Sequence, residues 1–594
     1  MIRNSVYSVR QRLAGYSWLS DLPAMLCWAA LVGILGALAT LLFHQGIRWL
    51  QYLVAGQSGS IVAVTRDLPW HTRLLFPVLA GLAAGFLLRL AARIPAGSNS
   101  DYMEAVAIGD GRLSVRQGLL RSTSSLLSVA SGGSIGREGA MVHLASLAAS
   151  VIGQVASFST PRLRLLVACG AAAGVAAAYG APIAGAFFVA EIVIGSMSMR
   201  TVGPLLVSAA AANLTLRFTG HYHTLYPMAE MPQIPPLQVV PFLLLGAVTG
   251  LAAPFFLKLL DTVKVMFRKT GLAVEFRLAL GGLLLGLLLL LIPQVAGNGY
   301  SVVYSLLHTP WAWHAVILIL VCKVIATAIT VGSGAVGGVF TPALFVGGAL
   351  GTLLGMVVQA LIPGAAAPVY MYTLVGMGSF LGAATGAPMM AILMIFEMTL
   401  SYQIVLPMML AGVVSYFVSR AVAEVTMYDV TAARERDVVL RYRLRTTVIN
   451  ELIKPADTVI RLDTPLEQAL QMFVDYPVRY IYVVDENNVF KGAVAQQDLT
   501  GLLLSQSDIR SKPASEFMRI DYLQTLHPDM TIDQAQDYFV NFRGERLPVV
   551  THDAEPRLLG VVYKSAVLEK YSALKRSLDA SPDAVLDFST RRIR

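Results

Sequence analysis

Apolar runs of about the 20 residues needed to cross a bilayer recur from Leu22 to about Val425. A chain built this way must satisfy its backbone polar groups internally, which predicts a helical, polytopic membrane protein. Composition agrees: 56% of residues are hydrophobic and 14% charged, against about a quarter charged in ordinary soluble chains. The first apolar run starts too late and is too long for a cleavable signal peptide. Cys27, Cys169 and Cys322 all lie in apolar runs, without disulfide or metal-ligand spacing. The formal charge of +9 comes from basic loops and tails, so a lipid membrane and not nucleic acid is the expected surroundings. Arg3, Arg10 and Arg12 precede the first run, and Arg434, Arg436, Arg441, Arg443 and Arg445 follow the last. By the positive-inside rule both termini are cytoplasmic, as is the loop carrying Lys258, Lys264, Arg268, Lys269 and Arg277.

Within this apolar background, Ser131-Gly-Gly-Ser-Ile-Gly-Arg-Glu-Gly-Ala140 stands apart. An ionisable side chain at membrane depth costs several kcal/mol, so Arg137 and Glu138 need a reason to be there. The glycines leave N–H groups bare, and the run from Met141 to Val155 reads as a helix. A glycine turn at a helix N-terminus is an anion site, and one that carries its own carboxylate can be gated. Between residues 98 and 200 the apolar runs are short and broken, as expected where backbone lines a cavity.

The broken pattern repeats. Gly180-Ala181-Pro182 is followed nine residues after the proline by Glu191, and Gly386-Ala387-Pro388 likewise by Glu397. Gly132–Gly136 lies upstream of the first and Gly332–Gly338 upstream of the second. The polar stretch 218–236, free of Lys and Arg, separates the halves and reads as external. Its His221 and His223 have no further ligands, so no metal site is expected. One half starting inside and the other outside implies inverted repeats with a site at the midplane between them. Glu191 and Glu397 are best read as structural, with their carboxylates satisfied by nearby backbone or hydroxyl groups.

These motifs, in this order over residues 20–425, resemble the CLC family of chloride channels and chloride/proton exchangers. Gly136-Arg137-Glu138-Gly139 is similar to the family's GREGP turn, and Gly337-Gly338-Val339-Phe340-Thr341-Pro342 to its GGxFxP turn. Tyr402 falls at the place of its pore tyrosine, and Gly97-Ser98 at the start of its GSGIP turn. The resemblance implies that Ser98 and Tyr402 give hydroxyl donors to a central anion, with the N–H groups of Val339 and Phe340. It places Gly136, Arg137 and Gly139 in the anion-binding turn and makes Glu138 the gate. Arg137 is expected to pair with a carboxylate such as Glu104. The transported partner is chloride, Ser98 favouring it over nitrate, and the assembly is a homodimer in a bacterial inner membrane.

Two departures bear on mechanism. The GSGIP turn reads Gly97-Ser98-Asn99-Ser100-Asp101 here. Family exchangers usually carry a glutamate one residue after the position matched by Glu191; here it is Ile192, which cannot carry a proton. This favours a gated, voltage- and pH-dependent chloride channel over a proton-coupled chloride antiporter.

From about 447 the composition turns soluble. Thr464–Leu470, Tyr480–Asp485 and Phe490–Val494 in one unit match Met530–Ala535, Leu547–Val550 and Leu558–Val562 in the next. Each unit reads as a helix, a buried strand, a turn and a second strand, resembling a tandem CBS pair. That family often binds adenine nucleotides, which would put a ribose on Asp498; the corresponding place in the second unit is Ala566. No cofactor is required.

The expected fold class is an all-α polytopic membrane protein with inverted repeats and broken helices, plus a soluble α/β CBS pair. Its parts are a cytoplasmic segment 1–21 and a membrane domain 22–446, with halves at about 22–217 and 237–425. The CBS pair is 447–575, as units 447–507 and 513–572, and a basic tail 576–594 follows. A magnesium channel is the remote rival, since some pair CBS domains with a membrane part. It would need carboxylates on a cation path, whereas these turns offer N–H groups and hydroxyls. No constellation of catalytic residues points to an enzyme.

Overall fold

A computed structural model describes residues 22–94, 101–107, 109–222, 224–228, 232, 239–362, 367–423, 425–428, 440, 443–499, 511–520, 524–540, 542 and 544–580. The chain divides into two units, residues 1–431 and 432–594.

The first unit is helical, and among the described residues eight helices are long and apolar enough to cross a membrane. Its first half comprises α1 (Leu22–Ala55), α2 (Ile61–Asp67), α3 (Trp70–Ala92), α4 (Tyr102–Ala107), α5 (Val115–Ala130), α6 (Glu138–Val155), α7 (Thr160–Tyr179), α8 (Pro182–Phe188) and α9 (Met199–Phe218). The second comprises α10 (Val240–Lys269), α11 (Val274–Leu291), α12 (Tyr300–His308), α13 (Trp313–Gly332), α14 (Phe340–Leu361), α15 (Val369–Thr385), α16 (Pro388–Thr399) and α17 (Val405–Val422). Apart from α2, each helix of one half has a counterpart in the other, in the same order. Packing repeats too: α1 lies on α9 as α10 lies on α17, and α6 on α7 as α14 on α15. Counterparts α3 and α11 pack on each other, as do α8 and α16, so these pairs form the seam between the halves.

The Gly-Ala-Pro motif explains the short helices. Gly180 ends α7 in the left-handed region at φ 67°, and Gly386 ends α15 the same way at φ 72°. That conformation suits glycine. Two residues later a proline opens the next helix, where its missing N–H costs nothing. Both breaks are buried; the most apolar window of α7 is 83% buried, against 33% in α3. The outer helices instead present Leu42, Phe86 and Leu291 outward, as lipid contact requires.

The second unit holds a three-stranded sheet, in the order β1 (Val459–Arg461), β2 (Tyr480–Val484), β3 (Phe490–Ala495), with β1 parallel and β3 antiparallel to β2. A second sheet pairs β4 (Arg546–Val550) with β5 (Leu558–Tyr563) antiparallel. Helix α18 (Leu466–Asp475) buries Leu466, Ala469 and Phe473, and α19 (Ile532–Val540) buries Ile532, Ala535 and Phe539. The two repeats are stitched by backbone: the Phe490 N–H donates to Pro556 and the Leu558 N–H to Asn488. Helix α20 (Lys564–Ala580) continues beyond residue 575, so the expected tail begins as helix; 581–594 lie outside the described residues.

Candidate functional site: a carboxylate between two glycine turns

The two glycine-rich turns, one from each half, meet. The Gly136 N–H donates to the Gly338 carbonyl at 2.6 Å, and the Gly338 N–H to the Gly136 carbonyl at 3.0 Å. This miniature antiparallel bridge brings the N-termini of α6 and α14 to one place. Each N-terminus carries roughly half a positive charge in unpaired N–H groups, so the place favours an anion.

The Glu138 carboxylate occupies it. Glu138 is 6% exposed, and its Oε1 accepts from the Thr341 hydroxyl at 2.7 Å and from the Asn298 amide at 3.3 Å. Oε2 has no hydrogen-bond partner among the described residues. It lies over Gly136, where a methyl group would come within 1.9 Å of it. Position 136 therefore accepts only glycine while the carboxylate is in this pose.

Glu138 lines a cavity of about 410 Å³. Gly139, Gly337, Gly338 and Phe340 also line it, as do Tyr179, Phe188 and Tyr428. The rings form a chain: Tyr179 lies 5.1 Å from Phe340, Phe340 6.2 Å from Phe188, and Phe188 5.8 Å from Tyr428. Asp101, Arg121, His143 and Lys264 also line the cavity, and the two cations favour entry of anions.

The expected site residues fare differently. Glu138, Gly139 and Phe340 come together on the cavity, and Val339 sits directly before α14. The Gly136 N–H is already committed to Gly338, so it is not a free donor for an anion. Arg137 forms no ion pair among the described residues, and Glu104 is exposed on α4; the expected pairing is absent. Ser98 lies outside the described residues.

Tyr402 is misassigned. Leu400 ends α16 in the left-handed region at φ 54°, and the 3-10 turn Tyr402–Ile404 directs Ile404 inward and Tyr402 outward, 78% exposed. Tyr102, Tyr179 and Tyr428 line the cavity, and Tyr402 does not. The chain after α17 is drawn back to the core where the Met427 N–H donates to Ala384 at the end of α15. The available signal was position: Tyr428 follows the last spanning helix, whereas Tyr402 precedes it.

Sequence reasoning also missed Lys323. It is fully buried on α13, and its Nζ donates to the carbonyls of Val295 at 2.9 Å and Gly297 at 2.5 Å. The same short loop is tied to the first glycine turn by the Gly297 N–H on Gly132, and it presents Asn298 to Glu138. A lysine in an apolar helix was the visible signal.

In the soluble unit, Asp498 Oδ1 accepts from Arg519 at 2.8 Å, and Oδ2 is buried without a partner among the described residues.

A helical membrane unit with paired broken repeats, opposed helix N-termini and a carboxylate between them defines an anion-transport protein of the CLC type. The family model for voltage-gated chloride channels matches residues 80–420, and the CBS domain model matches 449–505 and 514–573. The chain belongs to the CLC family. It is 52% identical over 422 residues to a Ralstonia nicotianae protein described as ClcB-like, a match covering 70% of this chain and 98% of the relative. It is 42% identical to the voltage-gated ClC-type chloride channel ClcB of Salmonella typhimurium, over 68% of this chain and 98% of the relative. Among solved structures, a slow cyanobacterial Cl-/H+ antiporter aligns with TM-score 0.62 and 23% identity, over 71% of this chain and all of that one. A eukaryotic CLC transporter aligns over 94% of this chain and 98% of its own, with TM-score 0.59 and 16% identity.

Proposed function

We propose that the protein conducts chloride through the cavity below Glu138, as a channel whose gate is the Glu138 carboxylate. The observation that carries this is the shared place. The carboxylate sits between two helix N-termini that would equally hold a chloride ion, so carboxylate and chloride compete for it. Protonation removes the carboxylate's charge and its claim on that place, which opens the path. Tyr428 supplies the hydroxyl expected of Tyr402, and Ser98 is retained as the second. The N–H groups of Val339, Phe340 and Gly139 complete the anion's surroundings. Hydroxyls and N–H groups hold a halide loosely enough for transit.

Proton-coupled exchange is the second reading, favoured by the fold shared with a protein described as a Cl-/H+ antiporter. Ile192, 1% exposed four residues beyond Phe188, favours the channel, because no carboxylate stands there to pass a proton. Chloride flux from purified protein in liposomes, with and without an opposing proton gradient, decides between them. Downhill chloride flux without proton movement supports the channel; uphill chloride driven by protons replaces it with exchange.

In this reading the protein is a homodimer of the bacterial inner membrane, with both termini in the cytoplasm. The CBS pair binds an adenine nucleotide, with the ribose hydroxyls on Asp498.

A further inference from the structure

We propose that Tyr179 is a positioning residue for the gate: acting through Thr341, its hydroxyl helps hold the ionised Glu138 side chain in the cavity and so sets the pH at which that side chain leaves. The inference rests on the reading of Glu138 as the gate.

The hydrogen bonds carry a direction. An ionised carboxylate only accepts, so the Thr341 hydroxyl, 2.7 Å from Oε1, must donate its proton there. Tyr179 Oη lies 3.1 Å from the same Thr341 oxygen. With the threonine proton committed, that oxygen can only accept, and Tyr179 must donate. The result is an ordered relay from Tyr179 to Thr341 to Glu138.

Each member is held in place and shielded. Tyr179 and Thr341 are each 4% exposed. The ring of Phe340, the residue before Thr341, lies 5.1 Å from the Tyr179 ring. In surroundings of low polarity, a donor that is itself receiving a hydrogen bond gives a stronger one. The relay also crosses the seam: Tyr179 ends α7 and Glu138 begins α6 in one half, while Thr341 lies in the first turn of α14 in the other.

The sign follows. Bonds donated to the ionised form favour it, so the relay lowers the pH needed to release Glu138. Removing the Tyr179 hydroxyl therefore moves opening to higher pH. Other groups feel the same charge: Arg137 just before α6, and Tyr226 and Tyr428 nearby. Asp101, Arg121, His143 and Lys264 line the same cavity. All of them survive a substitution at 179, which isolates the hydroxyl.

The test is Tyr179→Phe, with chloride flux from liposomes measured against pH. We expect the half-maximal pH to rise by roughly half to one unit, the scale of one weakened hydrogen bond to a charged group. Thr341→Val should shift it the same way and further, and Thr341→Ser should restore it. In a Glu138→Gln background, Tyr179→Phe should change nothing. A wild-type midpoint in both Tyr179→Phe and Thr341→Val, while Glu138→Gln abolishes pH dependence, overturns the relay and leaves the gate standing. An effect of Tyr179→Phe that persists in Glu138→Gln assigns the hydroxyl to the pore and also overturns it. Should Glu138→Gln retain wild-type pH dependence, the gate reading itself falls. If Tyr179→Phe does not fold, the two Thr341 variants decide.

Discussion

Glu191 and Glu397 each cap a helix belonging to the other's half. Glu397 accepts the N–H groups of Ile183 at 3.0 Å and Ala184 at 2.8 Å, in the first turn of α8. Glu191 accepts the N–H of Met390 at 2.9 Å, in the first turn of α16. The exchange lies at the seam between α8 and α16 and satisfies helix donors that have no other partner at membrane depth. These carboxylates stabilise the fold and do not line the cavity.

Replacing Glu397 with alanine strips two buried N–H groups of their acceptor. The expected loss is about 2–6 kcal/mol, since each of the two unmet donors costs about 1–3 kcal/mol. Glu191→Ala, which leaves the first turn of α16 without its acceptor at Met390, should destabilise as well. Thermal melting of the detergent-purified variants should place both below wild type, and wild-type melting temperatures would contradict the capping role.

Glu138→Gln keeps the shape of the gate and removes its charge. The expected outcome is steady chloride flux whose dependence on pH is lost. Liposome flux between pH 4 and 8 measures this, and an unchanged profile would remove Glu138 from gating.

Gly136→Ala tests the same gate from the backbone. The new methyl would stand 1.9 Å from Glu138 Oε2 and 3.0 Å from the Gly338 carbonyl. The carboxylate must give way, so flux at neutral pH should rise toward that of Glu138→Gln. Flux and pH profile both equal to wild type would show that the carboxylate does not rest on this turn.

Lys323→Met leaves the carbonyls of Val295 and Gly297 without their donor and frees the loop that holds Asn298. We expect a melting temperature lower by several degrees, with Lys323→Arg recovering part of it. A melting temperature unaffected by methionine would show that the lysine does not brace the loop.

If the CBS pair holds an adenine nucleotide through Asp498, as proposed, Asp498→Ala loses that binding. Calorimetry on the full-length protein reads this directly. Heat of binding that survives the substitution places the ribose elsewhere.

Much of this was legible in the sequence. Run length and glycine-proline breaks are local signals, and they revealed the helices, the repeat and the two glycine turns. Glu138 was visible because a carboxylate in an apolar run is costly. The structural reading of Glu191 and Glu397 also holds, although their partners lie about two hundred residues away and no spacing rule names them. What escaped was pairing across the halves. Thr341, Asn298 and Tyr179 meet Glu138 only after folding, and each alone is an ordinary polar residue. Tyr402 misled because it stands near Glu397, yet a single left-handed residue, Leu400, sends it outward.

The bridge between Gly136 and Gly338 also sets an order of assembly. A ribosome finishes the first turn about two hundred residues before the second, an interval on the order of ten seconds or more at ordinary synthesis rates. Until Gly338 arrives, the Gly136 N–H has no protein partner, and water in an unfinished cleft must serve it. The meeting of the two glycine turns is thus one of the last features to exist, and a chain stopped before Gly338 lacks both the partner of Gly136 and the Thr341 hydroxyl that holds Glu138.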